Sequence, residues 1–355
     1  MTSRPDISFL ICAFNRLELT KQCLQSLTST VNGFRYEVIL VDDASTDGTT
    51  EYFRSLPPPY VPIINSRRKG FAANNNTAAR HARGEVLCLL NNDTILTPLW
   101  LEPMRDAFRL FERIGIVGNI HIAPQTGRFD HFGVSFFKDG SADHCGRHSV
   151  YKPRNEYSKW PAVTAACCMI KRELFLAFGG FDEGFRNSHE DVDLCLRMGR
   201  GGYEHYVANR SVIYHLVGAT EGRRLHELEN HRRHLERWLP TAQNLSKITP
   251  CPRYEWSCNY LQTYLRRPWR LRPKRLFCAM FIFLGFRIQK GVYGLFMARA
   301  NLFPKRFLPK RFFRVLRNME LQEEWFRKHR LKGDLQDDGK EQRGPGAMEV
   351  RRGER

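Results

Sequence analysis

Apolar and polar positions follow two periods along the first 120 residues of the chain. Runs of mostly β-branched and apolar residues at Ile7–Phe14, Tyr36–Val41, Val61–Asn65, Val86–Leu90 and Ile114–Ile120 read as strands. Between them, residues 17–30, 48–55, 71–83 and 98–112 place apolar side chains at helical spacing. Strand and helix alternating in this way predict an α/β fold, with a mainly parallel central sheet flanked by helices on both faces. In such sheets ligands bind beyond the carboxyl ends of the strands. Three of the strands run into polar clusters at that end: FNR after the first, DDASTD after the second and NND after the fourth. From 129 to 170 the pattern loosens into possible hairpins. A helix opening at HEDVDLCLRMG, a strand pair around EHYVANRSVIYHLVG and a charged helix, RRLHELENHRRHLERWLP, follow.

Composition divides the chain further. Its 355 residues, 42% hydrophobic, suffice for one large domain with an appendage. The net charge of +19 is concentrated: from Trp256 to Met319 there is no Asp or Glu, and fifteen Lys and Arg. Residues 1–240 therefore read as the folded catalytic domain, 241–330 as a basic amphipathic helical extension and 331–355 as a polar, Gly-rich disordered tail. The apolar run between Arg275 and Arg287 is too short to span a bilayer, which takes about 20 residues. Flanked by cations and aromatic residues, it suits helices resting on an anionic membrane surface; a buried helical subdomain with a basic rim is the plainer alternative. No aromatic–basic RNA motif stands out, so no nucleic-acid partner is expected. Ten scattered cysteines without a repeated C-x-x-C pair fit a reducing cytosol. The apolar stretch at the N-terminus is too short for a signal peptide.

Each polar cluster has a structural explanation when taken alone. VDDASTDGT can cap and turn into a helix, NND can close a strand, HEDVD can complement a helix dipole, and His215 can be a core histidine. Their joint occurrence, in this order on one α/β chain, is what points to chemistry. The phosphate loops G-x-G-x-x-G after the first strand and G-x-x-x-x-G-K-[ST] are absent. A bound diphosphate would then be held by carboxylates and a metal.

CAFNR, VDDASTDGT, KGFAANNNTAARHARGEVLCLLNNDT, CCMIKRELFLAFGGFDEGF, HEDVDLCLRMGRGGY and IYHLVG together resemble a family 2 glycosyltransferase of the GT-A fold, over roughly Ile7 to Trp238. The resemblance is to the bacterial branch that writes its D-x-D motif as N-x-D, in enzymes of O-antigen and lipopolysaccharide glycan assembly. It implies a nucleotide-diphosphate sugar donor, Mg²⁺ or Mn²⁺, and transfer with inversion at the anomeric carbon. Carried over by position, Ala13 and Asn15 fall in the donor pocket, Asp42 and Asp43 at the base and ribose, and Asn76 at a further donor contact. Asn91, Asn92 and Asp93 occupy the metal motif, Asp93 as the ligand. Asp191 falls at the catalytic base with Glu190 before it, and His215 at the late histidine that reaches the metal. The family's Gly-rich stretch before the acceptor helix reads AACC here. The segment FLGFRIQKGVYGLFMARANLF also resembles the C-terminal extension of family 2 enzymes that elongate lipid-linked glycans or lipopolysaccharide core. With the basic extension, it implies a lipid-linked glycan acceptor at the cytoplasmic, inner face of the membrane. Sugar-nucleotide synthesis by nucleotidyl transfer, and a binding protein on an inactive transferase scaffold, are the competing readings.

Overall fold

The computed structural model describes residues 4–124, 127–137, 139–146, 155–216 and 226–248. The expected basic extension and polar tail lie almost wholly outside these residues. Among the described residues, no helix is long and apolar enough to cross a membrane.

The chain begins with β1 (Ile7–Ala13), α1 (Leu17–Thr30), β2 (Tyr36–Asp42), α2 (Thr49–Ser55), β3 (Tyr60–Ile64), α3 (Phe71–His81) and β4 (Val86–Leu90). There follow β5 (Thr94–Leu96), α4 (Leu101–Leu110), β6 (Ile114–Ala123), β7 (Arg128–Phe136), β8 (Ala142–Gly146), β9 (Tyr157–Trp160) and β10 (Cys167–Lys171). The last described elements are α5 (Arg172–Ala177), α6 (Glu190–Arg200), β11 (Glu204–His215) and α7 (Glu227–Leu245). Along the sheet the order is β3-β2-β1-β4-β10-β6-β11-β5. The four strands from β3 to β4 are parallel, as expected from their strand–helix alternation. β10 then enters antiparallel between β4 and β6, and β7 and β8 continue from β6 as antiparallel strands.

Alternation along each strand sends side chains to two cores. Leu10, Ile39, Val41, Leu87 and Leu89 face α3, α5, α6 and α7. Ile7, Phe9, Ile11, Val38, Leu40, Cys88 and Leu90 face α1, α2 and α4. One expectation fails here. EHYVANRSVIYH is a single twelve-residue strand, not a pair. Its register shifts between Ala208 and Val212, so the polar Asn209–Ser211 interruption is taken up as an irregularity within the strand.

α6 and α7 are joined through one buried acid. Asp193, fully buried, accepts from Arg197 Nε at 2.8 Å, Arg237 Nη1 at 2.7 Å and Trp238 Nε1 at 2.8 Å. Asp193→Ala would leave two half-buried guanidiniums and an indole N–H without their acceptor. The expected loss is about 3 kcal/mol in urea unfolding; a loss below about 1 kcal/mol would show that the network relaxes without it.

Candidate active site

The carboxyl ends of β1, β2 and β4 open onto a cleft of about 350 Å³, whose other walls come from β7, β8, the loop before β10, and the start of α6. The apolar run of β4 ends at Leu90, and the chain then turns through Asn91–Asp93 into β5, which pairs antiparallel with β11. That pairing sets His215 opposite Thr94 and has Leu216 N–H donate to the Asp93 carbonyl at 2.9 Å. Two residues far apart in the chain are thereby brought together, with His215 Nε2 3.3 Å from Asp93 Oδ1. Both residues are buried, and neither Asp93 Oδ1 nor His215 Nδ1 has a hydrogen-bond partner.

A buried carboxylate oxygen normally finds a donor, because leaving it bare costs about 1–3 kcal/mol. An oxygen and an imidazole side by side without donors fit a hard divalent cation. Among the described residues, no three His, Cys, Asp or Glu side chains are arranged to hold an ion by themselves. A cation there would need ligands from another molecule, as Mg²⁺ and Mn²⁺ take from phosphate oxygens and water.

Of the other expected donor contacts, Ala13, Asp43, Asn91 and Asn92 line the cleft. Asp43 is fixed by the backbone N–H groups of Lys69 (2.7 Å) and Gly70 (3.1 Å). Beside it, the Arg68 guanidinium lies 3.7 Å from the Phe14 ring centre and 4.0 Å from Asp43 Oδ2. A cation, a flat ring and an acid thus stand at the end of the cleft nearest β2. Phe14 lies within CAFNR with no expected role there, and Arg68 falls just before KGFAANNNT.

Three expected residues have other work. Asp42 is fully buried, with its carboxylate accepting from Ser45 N–H at 2.9 Å and from the Thr50 hydroxyl; it closes the β2–α2 loop and does not line the cleft. Asn15 clips the two rim loops together, accepting from Thr46 N–H and donating its own N–H to Ser45 Oγ, both at 2.8 Å. Asn76 binds the backbone of Phe181 through both ends of its amide and donates to Glu183. Gly180, at φ +68°, presses so close that an added Cβ would sit 2.4 Å from Asn76 Oδ1. The asparagine that faces the cleft from α3 is Asn74.

Across the cleft, Glu190 and Asp191 open α6 and both line it. Asp191 Oδ2 accepts from Ala165 N–H at 3.1 Å and Oδ1 from Val192 N–H at 2.8 Å, which holds the carboxylate at the cleft wall. His189 precedes them in the left-handed region (φ 70°), its ring 4.9 Å from that of His234 on α7. Burial, with the neighbouring imidazoles, pushes its pKa down to about 3, so it stands neutral beside the two acids. Asp130 and His144, from β7 and β8, complete this side.

Residues 8–178 match the family model described as glycosyl transferase family 2. Protein y4gI of Sinorhizobium fredii is 32% identical over 239 residues, covering 62% of this chain and 26% of its own length. The O-antigen biosynthesis protein RfbC of Myxococcus xanthus is 32% identical over 226 residues, covering 61% of this chain and 18% of its own. The chain thus spans about a quarter or less of these two relatives. In structure it resembles GalNAc-T7, crystallised with UDP, GalNAc and Mn²⁺, at a TM-score of 0.55 and 17% identity, over 72% of this chain and 51% of that one. Residues 8–178 thus match glycosyltransferase family 2, and the fold around them is that of the GT-A transferases.

Proposed function

We propose that this domain transfers a sugar, with inversion, from a nucleotide-diphosphate donor to a hydroxyl of a glycan acceptor. The carrying observation is that Asp43, the Asp93–His215 pair and Asp191 all face one cleft. Asp43, Phe14 and Arg68 take the nucleoside end. Asp93 and His215 hold a divalent cation, with the donor's phosphate oxygens supplying the remaining ligands. When bound, that ion offsets the charge developing on the departing diphosphate; an imidazole ligand favours Mn²⁺ over Mg²⁺. Asp191 takes the proton of the acceptor hydroxyl. The hydroxyl oxygen bonds to the anomeric carbon from the face opposite the diphosphate, which leaves with the bonding pair. Both carboxylate oxygens of Asp191 already accept backbone N–H groups, so the base is oriented before substrate arrives.

The O-antigen role in the name of RfbC supports a lipid-linked or lipopolysaccharide-type glycan as acceptor. The acid-free, cation-rich stretch from Trp256 to Met319 supports docking on an anionic membrane surface, at its cytoplasmic face. A thermal-shift screen of nucleotide sugars with and without Mn²⁺ tests the reading. One nucleotide class should raise the melting temperature only with Mn²⁺, by an amount equivalent to about 2.7 kcal/mol at a hundredfold excess over Kd. A protein stabilised by no nucleotide in either condition would not be a nucleotide-sugar transferase.

A further inference from the structure

His215 lies between two carboxylates. Asp93 Oδ1 stands 3.3 Å from Nε2, and Asp130 Oδ2 stands 4.0 Å from Nδ1 on the opposite edge of the ring. The same Asp130 oxygen is 4.0 Å from Nδ1 of His144. Asp130 is on β7 and His144 on β8, so the antiparallel pair beyond β6 brings both behind a histidine carried by β11. The register is compatible: β6 pairs with β7 on one side and with β11 on the other.

A third ring limits how His215 can sit. His121 on β6 packs edge-on against it, with ring centres 5.3 Å apart. Asn119 donates its amide N–H to Ser211 Oγ and offers Oδ1 to His121 Nε2 at 2.9 Å. His121 therefore carries a proton on Nε2. His121 supports the face of His215 without competing for Asp130.

An imidazole that binds a metal through one nitrogen usually directs the other N–H at a carboxylate. That partner fixes the tautomer and raises ligand basicity. At 4.0 Å, Asp130 acts on Nδ1 as a charge and not as a formed hydrogen bond. A nearby negative charge still favours the proton on that nitrogen.

Resting on the cation site proposed above, we propose that Asp130 is a positioning residue for it: its carboxylate charge favours His215 as the Nδ1–H tautomer, leaving the Nε2 lone pair beside Asp93 for the metal.

The test uses the full chain with the nucleoside diphosphate found by the screen. Mn²⁺ binding is measured by electron paramagnetic resonance, and the histidine tautomers by ¹⁵N NMR without metal. Asp130→Asn keeps the shape and removes the charge. It should weaken Mn²⁺ binding by about 10- to 100-fold, leave metal-free nucleotide binding and the melting temperature within error, and move His215 away from the Nδ1–H form. Asp130→Glu should recover part of the affinity, which a purely structural role would not produce. Unchanged Mn²⁺ affinity and tautomer in Asp130→Asn, with Asp93→Ala abolishing Mn²⁺ binding, would overturn the role of Asp130 and leave the site standing. A parent protein that binds no Mn²⁺ with any nucleoside diphosphate would overturn both.

Discussion

Asp191→Asn should lower sugar transfer by about 10²- to 10⁴-fold, the range over which a positioned general base contributes. Donor binding in the presence of Mn²⁺ should stay within a few-fold of the parent. The substitution is nearly isosteric: the amide oxygen of Asn can keep the Ala165 N–H that now reaches Asp191 Oδ2 at 3.1 Å, at the loss of the Val192 N–H contact to Oδ1, which the NH₂ group cannot accept. What is lost is a proton acceptor facing the cleft, with little change in the wall. The effect should therefore appear in kcat and not in donor affinity. The neighbouring acid makes the prediction exacting, because Glu190 lines the same cleft one residue earlier. Transfer within threefold of the parent would move the base to Glu190 or elsewhere, and Glu190→Gln would then carry the loss. Nucleotide-sugar hydrolysis that disappears in Asp191→Asn would also separate an enzyme from a binding protein on a transferase scaffold.

The second large effect is expected at Asp93. Asp93→Ala should lower the Mn²⁺-dependent affinity for the donor by on the order of 10²-fold or more, beyond the range seen when an outer-shell partner is removed. Nucleotide binding should then be the same with and without Mn²⁺. Folding should hardly change. Asp93 Oδ1 has no hydrogen-bond donor, so its removal relieves an unmet buried acceptor and gives up only the 3.3 Å approach to His215 Nε2. The contrast with Asp193 is direct: that acid is also buried but makes three charge-assisted or indole contacts, and its loss should show in stability. Two buried aspartates on one domain thus separate by what they touch. Titration calorimetry and urea unfolding on both variants would show the pattern, and a large stability loss in Asp93→Ala would contradict it.

Much of this architecture was legible in the sequence because its first half is built from local signals. β1, β2, β4 and the helices between them follow from apolar periodicity, with ends displaced by at most a few residues. The polar residues at their carboxyl ends mark the rim. The insertion of β10 was not legible: CCMIK is apolar at almost every position, and a strand buried on both faces carries no sign of its direction. The β7–β8 pair was visible only as a loosened pattern, which is why Asp130 and His144 went unnoticed. Asp130 gains its role through register with β6, a relation between segments that no single stretch contains.

The paired acids of VDDAS show a second limit. Asp43 turns toward the cleft while Asp42 turns into the loop, where Ser45 and Thr50 bind it. Adjacent residues at a strand end point to opposite sides, but the sequence alone does not say which side faces a ligand. Asn76 turns from the cleft in a similar way. Three consecutive asparagines on α3 project in three directions; Asn74 meets the cleft, Asn75 donates back to the Phe71 carbonyl, and Asn76 reaches the backbone of Phe181. His215 and Asp93, by contrast, meet through the pairing of β5 with β11. The sequence suggested the two residues but not the three-residue strand that joins them.

Anomalous diffraction at the manganese edge, from crystals grown with Mn²⁺ and a nucleoside diphosphate, examines the convergence of these residues without reference to turnover. The expected result is a manganese peak bonded to the side chains of Asp93 and His215 and to phosphate oxygens, in the cleft that Asp191 faces. Manganese found only at other acids, with Asp93 and His215 untouched while the diphosphate is bound, would contradict it.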